Sequence, residues 1–252
     1  MKIAFTVAGV QKAGTTALDT FLREHPDIGL PRVKEIHYFD EETINWAVPD
    51  YSRLHRFFSP IEDKVFGQIT PVYSYWEPAA ARIKAYNPAM KLILILRDPV
   101  DRAYSQWEMQ ASRGIECLRF GAAIRKGRAR VDIGDLSKSA GIRRFSYVER
   151  GFYAPQISRL LENFPAEQLM VLDHATLKKG QPAVLDAICD FIDVSRFETY
   201  PQNKVILPTG KRRDLGPISE EDAAYLARLY AEDTQETAKL TGLDLSHWKS
   251  WF

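Results

Sequence analysis

The sequence predicts an α/β domain with a central, mainly parallel sheet flanked by helices. Three observations predict it. Short apolar runs alternate with stretches of helical spacing along the 252-residue chain, the pattern of strand–helix–strand crossovers. The run Lys91–Leu96 (KLILIL) is apolar without polar alternation, as a strand covered on both faces must be. The first apolar run passes through a glycine-containing loop directly into a helix, as the opening of a βα unit does.

Taken in order, Lys2–Ala8 reads as a buried strand that Gly9 ends. Thr15–His25 carries Ala17, Leu18, Phe21 and Leu22 on one helical face, and Pro26 stops it. Ile36–Asp40 is short and aromatic, and residues 41–62 show no period and read as a surface excursion. Lys64–Gln68 is a short strand and Pro78–Tyr86 a helix. After Lys91–Leu96, Pro99 suits the first turn of a helix that runs to about Ser112. Residues 113–148 are polar, basic and weakly periodic, which predicts a loop-rich insertion. Tyr153–Phe164 and Pro182–Ile192 read as helices around a strand at Gln168–Leu172. Ser219-Glu220-Glu221-Asp222 opens a last helix to about Leu240. Residues 1–252 are expected to form one domain.

Composition narrows the function. With 45% hydrophobic residues the chain can bury a core, which excludes disorder. Lys+Arg total 34 against 33 Asp+Glu, a net charge of +1 that argues against a nucleic-acid partner. No run approaches the roughly 20 apolar residues of an integral membrane segment. The two cysteines, Cys117 and Cys189, form no metal-binding spacing, and so few suit a reduced, cytoplasmic setting. Function must therefore reside in local groups of residues, and open parallel sheets bind ligands beyond the carboxyl ends of their strands.

Two such loops stand out. Gly9-Val10-Gln11-Lys12-Ala13-Gly14-Thr15-Thr16 joins strand to helix, where free N–H groups and the helix dipole attract anions. It has the frame of a phosphate-binding GxxxxGK[ST] loop, but Thr15 stands where the lysine would be and the lysine lies inside the loop at Lys12. The arrangement that holds Mg²⁺ on a nucleoside triphosphate is absent, so a shorter anionic group and no metal ligand set are expected. The second loop is Arg97-Asp98-Pro99-Val100-Asp101-Arg102-Ala103-Tyr104-Ser105. Arg97 leaves a strand end and can fork onto a phosphate. Ser105 can add a hydroxyl, and Asp98 and Asp101 can orient Arg97 or Arg102. Two separated anion sites suit a ligand with two phosphates.

These motifs resemble those of the sulfotransferases that use 3′-phosphoadenosine 5′-phosphosulfate (PAPS). Gln11–Leu18 is similar to their 5′-phosphosulfate loop and Arg97–Trp107 to their 3′-phosphate motif. Lys34-Glu35-Ile36-His37-Tyr38-Phe39-Asp40 resembles the segment that carries the catalytic glutamate in the heparan sulfate (glycosaminoglycan) type. Arg150–Tyr153, Phe164–Leu172 and the basic loop Gly210-Lys211-Arg212-Arg213 are similar to the same branch. Ile69 departs from it, since relatives often carry lysine there. The resemblance implies a three-layer, P-loop NTPase-like fold and a soluble bacterial relative without anchor or disulfide loop.

It also implies roles. Lys12, Ala13, Gly14, Thr15, Thr16 and Ala17 would hold the 5′ end of PAPS, with Lys12 stabilising charge on the leaving oxygen. Arg97 and Ser105 would hold the 3′-phosphate, with Lys211, Arg212 and Arg213 closing over the cofactor. Glu35 would be the general base, its pKa raised by the apolar side chains beside it. His37, two residues on, would share a face with Glu35 in an extended segment and orient the acceptor or relay a proton. The acceptor would be a small molecule or glycan with a hydroxyl, anionic if the basic stretch 119–144 faces it. Aromatic residues at 46, 51, 57, 58, 73, 75 and 76 either line an acceptor pocket or pack the core. A P-loop kinase and a non-catalytic PAPS-binding relative are the alternatives at this point.

Overall fold

The computed structural model describes residues 1–59, 63–132, 135–136, 139–202 and 215–252. In chain order the elements are β1 (Ile3–Gly9), α1 (Thr15–Arg23), β2 (Ile28–Gly29), α2 (Ser52–His55), β3 (Val65–Ile69), α3 (Ala79–Tyr86), β4 (Lys91–Leu96), α4 (Pro99–Ser112), α5 (Phe120–Ala123), α6 (Ser139–Phe145), α7 (Ala154–Asn163), β5 (Leu169–Asp173), α8 (His174–Lys179), α9 (Gln181–Phe191) and α10 (Glu220–Thr241). The chain divides into two compact units, Met1–Leu96 with Ser158–Ile206, and Arg97–Ile157 with Leu207–Phe252.

The first unit holds the five-stranded sheet in the order β2-β3-β1-β4-β5. Every pairing is parallel. The chain moves from β1 to one side for β2 and β3, then to the other side for β4 and β5. The loop after β1 therefore leaves the sheet where the strand order reverses, the place where open α/β sheets bind ligands. Ile3, Phe5 and Val7 of β1 and the run Leu92–Leu96 of β4 are buried, which explains why neither strand alternates. Gly67 of β3 accommodates the Phe5 ring, because a Cβ there would lie 2.1 Å from it. The aperiodic excursion is held by aromatic packing. Trp46 lies against Phe39 and Tyr38, and Arg82 sits 4.3 Å over the Trp46 ring while gripping Glu42 with both nitrogens.

In the second unit α4 and α10 form a core with Val100, Ala103, Trp107, Leu226 and Tyr230. Stretch 113–148 carries short helical segments between its loops. It contains α5, a 3₁₀ turn at Lys126–Arg130 and α6, and it places Phe120, Ala123, Ile124, Tyr147 and Val148 in that same core. Three of its arginines are committed to ion pairs: Arg125 with Asp222, Arg128 with Glu149, and Arg130 with Glu116. The Glu116 carboxylate also accepts from the Tyr147 hydroxyl and the Leu118 N–H.

Candidate active site

The anion loop is formed by a backbone that few side chains favour. Lys12 and Gly14 have φ of 75° and 87°. Gly14 is the N-cap residue of α1, and no side chain caps that end. The first-turn N–H groups of Thr15, Thr16 and Ala17 thus have no side-chain acceptor as a cap, as an anion-binding helix end requires. Thr15 is buried and Ala13 fully so. A Cβ on Gly14 would lie 3.1 Å from the His174 ring, so His174, at the start of α8, borders the loop. The Ser74 side chain borders it at Gly9. Neither residue carries a motif visible in the sequence.

The Glu35 segment hangs from the same sheet. The Glu35 N–H donates to the Ile69 carbonyl at 3.1 Å, at the carboxyl end of β3, and Ile69 pairs with Val7 of β1. The Tyr73 hydroxyl, fully buried, accepts from the Tyr38 and Phe39 N–H groups at 3.2 and 3.4 Å and donates to Gln68. Glu35 and His37 have φ of 61° and 56°, left-handed values that cost non-glycine residues energy and gather at functional sites. The two side chains do meet, with His37 Nε2 3.6 Å from Glu35 Oε2. The left-handed turn brings them together, not the extended segment expected from the spacing. Behind the imidazole, His37 Nδ1 lies 2.9 Å from Asp40 Oδ2, a fully buried carboxylate. Lys34 Nζ donates to Glu35 Oε1 at 2.5 Å.

This geometry corrects the expected electrostatics of Glu35. Burial on its own raises the carboxyl, but His37 and then Lys34 outweigh it and hold the pKa at about 2. Burial likewise lowers His37, but Asp40 and Glu35 outweigh it and hold the imidazolium up to about 9. At neutral pH the group thus holds Glu35 as the anion and His37 as the cation, with Lys34 beside Glu35 and the buried Asp40 beside His37. It can accept a proton at Glu35 only when one cation moves away or is replaced by substrate. The sequence alone assigns no role to Asp40 or Lys34. Asp40 stands three residues after His37, a spacing that alone could have drawn attention.

In the second unit Arg97 stands just before Asp98, the N-cap of α4. Its guanidinium is pulled below the usual range by burial, against the nearby Asp101. Asp98 is the N-cap of α4 and accepts from Val100 N and Asp101 N at 2.8 and 3.3 Å. Ser105 is buried two turns into the helix. Asp101 pairs with Lys249, and Arg102, fully buried, donates to Gln106 Oε1 at 2.8 Å and to the Tyr147 carbonyl. Lys211, Arg212 and Arg213 lie outside the described residues. Tyr73 and Trp76, candidates for an acceptor pocket, are core residues. Among the described residues no group of acidic, histidine and cysteine side chains is arranged to hold a metal ion, and no helix is long and apolar enough to cross a membrane.

Comparison with known proteins gives a consistent result. The family described as a sulfotransferase domain matches residues 3–205. The bifunctional heparan sulfate N-deacetylase/N-sulfotransferase 4 of Mus musculus is 30% identical over 263 residues, covering 94% of this chain and 29% of its own length. The human heparan sulfate glucosamine 3-O-sulfotransferase 3B1 is 30% identical over 198 residues, covering 77% of this chain and 46% of its own. The chain thus spans under half the length of either relative. The crystal structure of a sulfotransferase from Alicyclobacillus acidocaldarius superimposes with a TM-score of 0.79 at 25% identity, covering 99% of both chains.

Proposed function

The chain belongs to the sulfotransferase domain family, and from that premise we propose that it works as one domain moving the sulfuryl group of PAPS to a hydroxyl of a glycan or other small metabolite. The carrying observation is the position of Glu35. It is fixed by Ile69 at the carboxyl end of β3, beside the strand that feeds the anion loop, within a line of alternating charges. The loop fits an anionic group: its helix end has no side-chain cap and it contains a lysine. Lys12, Ala13, Gly14, Thr15, Thr16 and Ala17 would hold the 5′-phosphosulfate, and Arg97 and Ser105 the 3′-phosphate. Lys211, Arg212 and Arg213 would close over the cofactor.

The acceptor oxygen attacks sulfur as the bond from sulfur to the 5′-phosphate oxygen breaks, and adenosine 3′,5′-bisphosphate leaves. Lys12 would stabilise the charge that grows on that leaving oxygen. Glu35 would take the hydroxyl proton once the acceptor displaces Lys34 or shifts His37, because losing either partner raises a carboxylate otherwise held near 2. His37, anchored by Asp40, would orient the acceptor. The heparan sulfate relatives support a sugar acceptor. A cytoplasmic, bacterial setting is supported by two unpaired cysteines and by the Alicyclobacillus enzyme.

The test is Glu35→Gln. Transfer from labelled PAPS, screened across glycans by the mass gain of one sulfuryl group, should fall roughly 10²- to 10⁴-fold, the usual contribution of a positioned base. Affinity for adenosine 3′,5′-bisphosphate should stay within about twofold. Unchanged turnover would remove Glu35 from the reaction.

A further inference from the structure

We propose that Tyr153 is a positioning residue for Arg97 and thereby sets this chain's preference for a 3′-phosphate over its absence. The proposal rests on the reading of Arg97 as the 3′-phosphate ligand. Tyr153 need not touch the cofactor to act.

Tyr153 is buried, and its hydroxyl donates to the backbone carbonyl of Arg97 at 2.7 Å. Its own backbone is held in turn. The Asp233 carboxylate, from α10, accepts from Tyr153 N at 2.7 Å and Ala154 N at 3.2 Å, which fixes the start of α7. The ring is seated edge-on against Trp248, with centroids 5.9 Å apart. The segment around Trp248 closes the other side of the same peptide. Lys249 N donates to Asp98 Oδ2 at 2.5 Å, the Lys249 ammonium pairs with Asp101, and the buried Ser250 and Thr234 hydroxyls share a hydrogen bond of 2.7 Å. The peptide joining Arg97 to Asp98 is therefore gripped at its carbonyl by Tyr153 and, one residue on, by Asp98 through α4 and Lys249.

This grip bears on recognition because a guanidinium binds phosphate as a rigid fork. Its strength depends on two N–H groups meeting two oxygens at once. The side chain of Arg97 can rotate about its own bonds, but the direction in which it leaves the backbone is set by the peptide that Tyr153 holds. A tilt there shortens or breaks one arm of the fork and leaves the remainder of the cofactor site as it was. Removal of the tyrosine hydroxyl also leaves the Arg97 carbonyl without that donor, which favours a shifted peptide.

The experiment compares Tyr153→Phe, Arg97→Ala and the unmodified chain by calorimetry with adenosine 3′,5′-bisphosphate and adenosine 5′-monophosphate. Tyr153→Phe should weaken the bisphosphate roughly three- to tenfold, the worth of one hydrogen bond, and leave the monophosphate within about twofold. A ratio measured on one preparation is insensitive to general loosening of the fold. Equal losses for both nucleotides, or no loss, while Arg97→Ala abolishes the preference, overturn the positioning role. A preference that survives Arg97→Ala overturns instead the assignment of Arg97 on which the proposal stands. If Tyr153→Phe does not fold, Trp248→Leu keeps the hydroxyl and unseats the ring, and the same selective loss is expected, with an unchanged ratio refuting the proposal.

Discussion

Replacing His37 with glutamine removes the imidazolium that faces Glu35 and keeps a polar side chain of similar reach. The consequence for Glu35 can be worked from the geometry. The charges lie 3.6 Å apart, where Coulomb attraction is about 5 kcal/mol at an effective dielectric of about 20 and about 1 kcal/mol in bulk water. The side chains are 43% and 33% exposed, so solvent screening places the real value near the lower figure, about 1–2 kcal/mol. With about 1.4 kcal/mol per tenfold change in proton affinity, Glu35 should titrate about one unit higher, at about 3. Lys34 still holds it below the ordinary carboxylate range. The assay is carboxyl-carbon NMR with Glu35→Gln as the assignment control. A Glu35 midpoint that stays at about 2 in His37→Gln would refute the view that His37 carries its charge toward Glu35. A midpoint that overshoots 4.5 would refute the screening argument.

The same pair predicts a pH window for stability. His37 is raised from 6.5 to about 9, so its contribution is complete below pH 6.5 and is lost as pH rises through 9. Glu35 is lowered from 4.5 to about 2, so its contribution is complete above pH 4.5 and is lost as pH falls through 2. The stability difference between the unmodified chain and His37→Gln, measured by urea unfolding, should be greatest at pH 4.5–6.5, at about 1 kcal/mol, and vanish near pH 10; a difference independent of pH contradicts this. Arg130→Ala should destabilise by about 2–4 kcal/mol, because it strips a cation from the buried Glu116 carboxylate; a loss under about 0.5 kcal/mol by the same method would show that the pair is unimportant. Gly14→Ala, at φ 87° and against the His174 ring, should cost about 1–2 kcal/mol of loop strain. It should weaken adenosine 5′-monophosphate and the 3′,5′-bisphosphate alike, and calorimetry showing a selective loss of the bisphosphate would contradict the assignment of this loop to the 5′ end.

The parts of the fold legible in the sequence are those whose burial is two-sided and long. β1, β4 and α4 stand out because Phe5, Val7 and Leu92–Leu96 have no polar alternatives and Pro99 marks a helix start. β2 has only two residues, Ile28 and Gly29, too few to show any period. Stretch 113–148 hid its core contribution because single apolar residues such as Phe120, Ile124 and Tyr147 sit among arginines, in helices of one or two turns. The spacing of Glu35 and His37 suggested a meeting on one face of an extended segment, but neither the left-handed turn that makes them meet nor the direction of the Glu35 shift was legible. That direction depends on a left-handed turn that folds Lys34 and His37 onto the carboxylate and sets Asp40 behind them. Side-chain identity gives a residue's neighbours along the chain, whereas its pKa follows from neighbours that the backbone brings around it.

The arginines at 125, 128 and 130 have a consequence for how anything charged approaches the chain. Each is joined to a carboxylate of its own unit, so at a distance beyond the Debye length of about 8 Å each pair acts as a small dipole and not as a cation. These three cations of the basic stretch are therefore nearly silent in the far field. The association rate of an anion should accordingly fall more gently as salt is added than the number of basic residues in 119–144 would suggest.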